Sequence, residues 1–149
     1  MRLLLACAAL AASAVLAHNH QKGDIQVHHP WSRATPPGAQ VGVGYMEIRN
    51  RGTRPDRLVS ASTPVAKRVE LHVTQRDGEI ARMRQLKAFD IPPGERMLLA
   101  PDGAHLMLVD LVGPLKKGER FKMQLRFEHA GELEVEMEVQ EMGSRHPRH

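Results

Sequence analysis

Cysteine is almost absent from this chain of 149 residues, since Cys7 is the single one. Because Cys7 lies in an N-terminal segment with the pattern of a cleaved signal, we expect a mature chain without a cysteine nucleophile, a CxxC redox pair, a cysteine zinc site or the thiolate of a blue-copper centre. Aromatic residues are also few, five in all, so the interleaved rings of a nucleic-acid stacking platform are missing. The 21 basic and 17 acidic residues alternate, and the net charge of +4 is a mild surface bias. A nucleic-acid partner is therefore not expected.

Long apolar runs are missing except at the N-terminus. Residues 3–16 are almost wholly apolar, follow a positive start, and end at the small residue of Val15-Leu16-Ala17. This pattern predicts a secretory signal peptide over residues 1–17, with Ala14 as a competing cleavage site. Leu5-Ala6-Cys7 resembles a lipobox, but the apolar run before Cys7 is far too short. We therefore expect an exported, periplasmic protein with no membrane span after signal cleavage.

The remainder, residues 18–142, has the pattern of one antiparallel β domain, followed by a flexible basic tail over residues 143–149. Short β-rich runs alternate with turns that contain Pro or Gly, and no long helical period appears. The fold class predicted is all-β, a Greek-key sandwich or barrel. The predicted strands are Ile25–His29, Val41–Arg49, Arg57–Ser62, Lys67–Gln75, Ile80–Phe89, Arg96–Ala100, His105–Leu111, Arg120–His129 and Glu132–Glu141.

A hairpin around Asp77-Gly78 brings a histidine and a methionine to one face. Asp-Gly is a strong signal for a two-residue type I′ turn, and with that turn His72 sits directly opposite Met83. The alternation of polar and apolar residues puts His72 on the polar face of its strand. Met83 is therefore a methionine on the wet side of the sheet, where a core role is a weak explanation.

A second pair, His105 and Met107, stands two residues apart on a predicted strand, so both project from one face. That strand is apolar on both faces, and Met107 taken alone fits a core position as well as a ligand position. Taken together, the two pairs indicate copper. A thioether sulfur is soft and selects Cu(I), imidazole also suits copper, and zinc sites are not built with methionine.

The pattern His72-x10-Met83-x21-His105-x-Met107 resembles the signature of the periplasmic copper chaperones of the PCu(A)C family. The similarity extends from Ile25 to Glu141 and includes the segments Pro30–Gly38 and Ile91–Gly94. It implies a cupredoxin-like fold and Cu(I) bound by His72, Met83, His105 and Met107. It also implies delivery toward the CuA site of cytochrome c oxidase, with that copper-bearing subunit and Sco-type proteins as partners. One departure is Val73, where many members carry a further methionine.

Three other interpretations stay open at this point. Cleavage after Ala17 exposes His18-Asn19-His20, whose amine, amides and third-position imidazole suit a separate Cu(II) site. A secreted structural or interaction β-sandwich with no tight metal site is the second. An enzyme is disfavoured, because the chain contains no Gly-x-Ser-x-Gly elbow, P-loop, GxGxxG or HExxH motif.

Overall fold

The structure is a computed structural model that describes residues 19–148. Over this range the chain forms eleven strands and no helix. The strands are β1 (Asn19–Lys22), β2 (Ile25–Arg33), β3 (Val41–Asn50), β4 (Asp56–Ser62), β5 (Ala66–Asp77), β6 (Ile80–Leu86), β7 (Phe89–Ile91), β8 (Arg96–Leu99), β9 (Ala104–Leu111), β10 (Arg120–Phe127) and β11 (Gly131–Gln140). The predicted all-β class is confirmed. Nothing helical among the described residues has the length and apolar character needed to cross a bilayer.

The strands are hydrogen-bonded in the order β6-β5-β9-β8-β3-β2-β11-β10-β4-β7, with β1 added to β2 and a further pairing of β9 with β3. Most neighbours are antiparallel, whereas β11 pairs with β2, and β8 with β9, in parallel. Strands β6 and β7 stand at the two ends of this order. A partner strand is therefore recorded on only one side of β6 within the described range.

The core is formed by the inward faces of strands from both halves of this order. Leu106 and Leu108 of β9 are fully buried, as are Met123 and Leu125 of β10. The sheet therefore curves over on itself and encloses one hydrophobic core. β11 shows the expected alternation, because Leu133, Val135, Met137 and Val139 are buried while the glutamates between them are exposed or half-buried.

Many strand ends differ from the predicted ones by one or two residues, and three differences are larger. The predicted strand Ile80–Phe89 is two strands, β6 and β7, which lie at opposite ends of the order. Strand β1 was not predicted. Strand β2 does not end at His29, because a bulge between His28 and Trp31 adds one residue and His29 takes a φ of 49°. A bulge with a left-handed residue re-aims the chain without ending the pairing.

The two ends of the chain are described only in part. The predicted signal peptide, residues 1–17, and His18 lie outside the described residues. The flexibility predicted for residues 143–149 stays a prediction. For residues up to Arg148 the structure records contacts with the domain: Arg33 Nε donates to the Ser144 carbonyl at 2.7 Å, and Arg145 pairs with Asp102.

Candidate metal centre

The two predicted histidine ligands are a cross-strand pair. His72 on β5 lies directly opposite His105 on β9, and their ring centroids are 5.8 Å apart. Directly opposed residues share one face of an antiparallel sheet. The pairing joins strands that are separated by β6, β7 and β8 in sequence, and it was not part of the sequence prediction.

Each of these rings makes one hydrogen bond and keeps one nitrogen without a partner. His72 Nε2 donates to Glu70 Oε2 at 2.9 Å, and His105 Nδ1 donates to the Gly103 carbonyl at 3.0 Å. The other nitrogens, His72 Nδ1 and His105 Nε2, are buried and have no hydrogen-bond partner. Buried polar atoms are rarely left in this state. A bond from one ring nitrogen to an oxygen leaves a lone pair on the other, which is the arrangement found in metal-bound histidine.

Burial favours the neutral form of the His105 imidazole, which is the form that a metal ligand requires. The residue is only 4% exposed, and this burial lowers its pKa, while the bond to Gly103 acts in the opposite direction and the neighbouring His72 adds to the lowering. The carboxylate of Glu70 takes hydrogen bonds from His72 and Arg68, which lower its pKa and keep it ionised. His105 is thus a neutral imidazole near neutral pH, and His72 is held by a charged acceptor.

Met107 lies on the same face as the two histidines. It is two residues after His105 on β9, a spacing of roughly 7 Å along a strand, and it pairs with Glu70 on one side and Val43 on the other. Its neighbours Leu106 and Leu108 point into the core and are fully buried, whereas Met107 is half-buried. The sequence left open whether Met107 is a core residue or a candidate ligand. Its place on the outer face excludes the core position.

Met83 lies near the histidines, but the predicted pairing is wrong. Thr74 is opposite Met83, and His72 is opposite Gln85. The two turn residues are Gly78 and Glu79, with Asp77 still in β5, and the φ of +62° at Gly78 fits a type II′ turn, which takes Gly first. The resulting shift is two residues, so Met83 keeps its predicted face and becomes a diagonal neighbour of His72, about 7–8 Å away by sheet geometry.

The four predicted residues therefore share one outer face over three adjacent strands, β6, β5 and β9. Their exposure is graded across that face. His105 is 4% exposed, the His72 side chain is 12% exposed, and Met83 on the edge strand is 60% exposed. The Met83 sulfur is therefore on the most exposed part of this face, and the two imidazoles are on its buried part.

Carboxylate-rich metal sites are not part of this face. Among residues 19–148 there is no group of three or more histidine, cysteine, aspartate or glutamate side chains placed to hold a metal ion. A metal at the paired histidines consequently needs other ligands. Besides Glu70, whose carboxylate already accepts from His72, the same face offers the two thioethers. Two imidazoles with thioether sulfur favour copper, and Cu(I) in particular.

The turn before β9 supports His105 from behind. The carbonyl of Gly103 accepts both His105 Nδ1 and the Thr74 backbone amide, the latter at 3.2 Å. Asp102, with a φ of 68°, pairs with Arg145 and lies 3.9 Å from Arg76. The ring of His105 is therefore fixed by a turn that is itself tied to β5 and to the C-terminal segment.

A second small layer covers the same face beside the histidines. Trp31 and Tyr45 pair across β2 and β3 with ring centroids 4.7 Å apart, and both are buried. The Arg33 guanidinium lies 5.5 Å from the centre of the Tyr45 ring. Burial raises the pKa of Tyr45, against an opposite effect from Arg33. Tyr45 is two residues from Val43, the partner of Met107 on β9, so this ring pair lies on the same face as the predicted ligands.

The predicted N-terminal Cu(II) site can be described only in part, because His18 lies outside the described residues. His20 is in β1, opposite Val27, and its Nε2 accepts the Glu136 backbone amide at 3.3 Å. That site stays a prediction.

Sequence reasoning missed the groups that hydrogen-bond the two predicted histidine ligands. Glu70 shares the polar face of β5 with His72 at a spacing of two, and this spacing is the signal that could have identified it. The Gly103 carbonyl has no side-chain signature. The meeting of β5 and β9 depends on pairing between distant segments, which short-range patterns do not contain.

Comparison with known proteins adds the family. The profile of the family described as "Putative lipoprotein LpqE-like" matches residues 25–139. A relative named "Putative lipoprotein Lxx21020", from Leifsonia xyli subsp. xyli, is 29% identical over 139 residues, which span 93% of this chain and 82% of the relative.

Solved structures agree. The copper-bound PCuAC domain from PmoF2 is 31% identical, with a TM-score of 0.74 over 83% of this chain and 98% of that domain. The solution structure of CuI-DR1885 from Deinococcus radiodurans is 30% identical, with a TM-score of 0.64 over 88% of this chain and 86% of the other. The chain belongs to the LpqE-like family of PCuAC domains, and the predicted cupredoxin-like fold is confirmed.

Proposed function

We propose that this protein is an exported copper chaperone that binds one Cu(I) ion through His72, Met83, His105 and Met107. The observation that carries the proposal is the histidine pair, with one buried and unbonded nitrogen on each ring. Both thioethers lie on the same face. Membership of the PCuAC family supports copper as the cargo, since solved relatives include copper-bound domains.

The donor set suits a carrier. All four side chains are neutral in the binding form, so the bound ion keeps a charge of +1, and the ionised Glu70 stands beside His72. The thioethers discriminate in favour of Cu(I), while the absence of a thiolate ligand leaves the ion exchangeable. Tight but exchangeable binding is what transfer to a second protein requires.

The graded exposure gives exchange a direction. His105 is buried and held by Gly103, so its imidazole is the most firmly placed donor. Met83 is on the edge strand and mostly exposed, and its flexible thioether is the donor that a partner reaches first. Release therefore begins at Met83 and ends at the histidines.

The acceptor that we propose is the copper-bearing subunit of cytochrome c oxidase, at its CuA site, with Sco-type proteins as additional partners. The support is the family resemblance of the ligand pattern. Mixing two equivalents of the Cu(I)-loaded protein with the soluble domain of that subunit, oxidising the product by one electron with ferricyanide, and recording the absorption of the mixed-valence CuA centre tests this part. Absence of the CuA spectrum, with copper remaining on the donor, would contradict this acceptor and favour another periplasmic copper protein.

Copper binding itself is tested by titrating Cu(I) into the protein against a chromogenic Cu(I) chelator. We expect one equivalent to be withheld from the chelator. The variants His105→Asn and Met83→Leu lose affinity by at least about tenfold, since loss of a supporting residue alone typically costs 10- to 100-fold. The matched control is Met142→Leu, because Met142 is 59% exposed, like Met83, and lies outside the four-residue set.

Each alternative has its own outcome in this titration. A wild-type protein that cannot compete with the chelator contradicts the chaperone function and leaves a β-sandwich without a tight metal site. Equal affinities for wild type and both ligand variants contradict the four-residue site. Copper binding in the Cu(II) state alone, abolished by acetylating the mature N-terminus, assigns the metal to the terminal His18-Asn19-His20.

A further inference from the structure

The strand that carries Met83 is the open edge of the sheet. β6 pairs with β5 on one side and has no recorded partner on the other within residues 19–148. All of its residues from Ile80 to Gln85 are exposed, and Ile80 and Met83 are 56% and 60% exposed. An exposed edge with apolar side chains is a surface on which another protein can dock.

The hairpin formed by β5 and β6 holds most of the excess positive charge. Residues 66–87 contain six basic and three acidic side chains, which accounts for three of the four net positive charges of the chain. Arg82 and Arg84 flank Met83 directly, and neither is in an ion pair with any described residue. Other arginines near the site are neutralised locally, since Arg68 contacts Glu70 and Asp110.

Copper transfer forces a partner onto this edge. A donor atom of the partner has to come within bonding distance of the ion, and the exposed ligand is Met83. The backbones of Arg82 and Arg84 are one residue away, about 3.8 Å between consecutive Cα atoms. The side chains of Arg82 and Arg84 alternate with Met83 and project from the other face of β6. Because β6 is the edge strand, a partner that docks along this edge meets both faces and comes within about 10 Å of both arginines, the Debye length at 0.1 M salt.

We infer that β6, with Arg82 and Arg84 on either side of Met83, is the docking edge for a copper-exchanging partner whose metal-binding segment is flanked by aspartate or glutamate. This inference rests on the proposed function. Opposite charges on the two surfaces raise the rate of encounter and align the partner's ligands with Met83.

The test follows Cu(I) transfer by stopped flow from the loaded protein to two synthetic peptides. Both peptides contain the same Cys-x-x-x-Cys segment, one with aspartates on either side and the other with lysines. We expect the acidic peptide to be loaded about tenfold faster at low salt, the lower end of the usual steering effect. The ratio of the two loading rates should fall below about twofold in 0.5 M NaCl, because salt screens the charges.

The decisive variant is Arg82→Gln/Arg84→Gln, which removes two charges and keeps the length of the strand. It should abolish the preference for the acidic peptide while leaving the Cu(I) affinity against the chelator unchanged. The matched control is Arg51→Gln/Arg54→Gln. These two arginines are also exposed and in no recorded ion pair, but they lie in the loop between β3 and β4, which is not bonded to β5 or β6.

The outcomes separate this inference from the proposed function. Tight Cu(I) binding with equal loading of the two peptides overturns the docking edge and leaves the chaperone function standing. An equal loss of preference in both arginine variants assigns the effect to net charge and overturns it as well. If the Arg82/Arg84 variant keeps the preference for the acidic peptide and self-associates, the docking edge is overturned. The two arginines would then serve to prevent edge-to-edge pairing of β6 between copies of the chain. Failure of the wild type to hold Cu(I) overturns the function on which the inference rests.

Discussion

His72 and His105 face each other across β5 and β9 with their ring centroids 5.8 Å apart, and each ring is held by one oxygen acceptor. The acceptors differ: a carboxylate holds Nε2 of His72, and a backbone carbonyl holds Nδ1 of His105. The two unbonded nitrogens are consequently of opposite type, Nδ1 and Nε2. This relationship predicts which substitutions remove copper binding while preserving the fold.

Asparagine and glutamine replace different halves of an imidazole. The amide nitrogen of Asn occupies the place of Nδ1, so His105→Asn keeps the bond to Gly103 and loses the metal-binding nitrogen. The amide nitrogen of Gln occupies the place of Nε2, so His72→Gln keeps the bond to Glu70. Both variants should fold with melting temperatures close to wild type and lose Cu(I) affinity by at least about tenfold.

The exchanged pair, His105→Gln and His72→Asn, is the control. Each of these variants loses the supporting hydrogen bond, which contributes about 1 kcal/mol, so thermal denaturation should show lower stability than in the first pair. If all four variants melt alike, the two supporting bonds do not orient the rings as described.

Glu70 is expected to position His72 rather than to bind metal itself. Glu70→Ala removes the acceptor of His72 Nε2 and should lower Cu(I) affinity by about 10- to 100-fold, the usual cost of losing such a support. Glu70→Gln retains an acceptor oxygen and should recover part of that loss. The informative readout besides affinity is the NMR tautomer signature of His72 in the metal-free protein, which should change in Glu70→Ala and not in Asp110→Ala, a variant that removes the other carboxylate paired with Arg68.

How far the sequence predicts this molecule depends on the range of the interaction. The alternation in β11 depends only on residues two apart, and its buried and exposed faces are as predicted. The outer face shared by the four predicted ligands also follows from alternation. It is unaffected by the wrong hairpin register, because a shift of two residues leaves each side chain on the same face. The meeting of His72 with His105 depends on pairing between segments more than thirty residues apart, which no local pattern encodes.

The error in the hairpin register is itself open to test. The structure places Gly78 at the first turn position with a φ of +62°, and no atom lies within 4 Å of the site where a Cβ would be added. Gly78→Ala should therefore destabilise the protein through backbone strain alone, by about 1–2 kcal/mol. Chemical denaturation measures this. Gly113→Ala is the control, since its surroundings are equally open and its φ is not in the left-handed range.

The C-terminal segment offers a prediction on pH. Arg145 lowers the pKa of Asp102 by a hydrogen bond and by its charge, with smaller effects from Arg76 and Arg33. A carboxyl whose pKa is lower in the folded state contributes stability above its ordinary value and loses it as the pH falls through the lowered one. The attachment of this segment to the turn before His105 should therefore persist at neutral pH and weaken only in acid.

Backbone order parameters from ¹⁵N relaxation measure this attachment at Ser144 and Arg145. At neutral pH we expect values nearer the rigid limit of about 0.85 than the flexible range below about 0.6, because the Ser144 amide bonds Glu141 and its carbonyl accepts Arg33. Asp102→Asn should lower them toward the acid values at neutral pH. Asp110→Asn is the matched control and should leave the order parameters unchanged. Asp110 also has a positive φ, which asparagine tolerates. Low order parameters in the wild type would instead support the flexible tail predicted from the sequence. They would also show that the C-terminal segment does not help to fix the turn that holds His105.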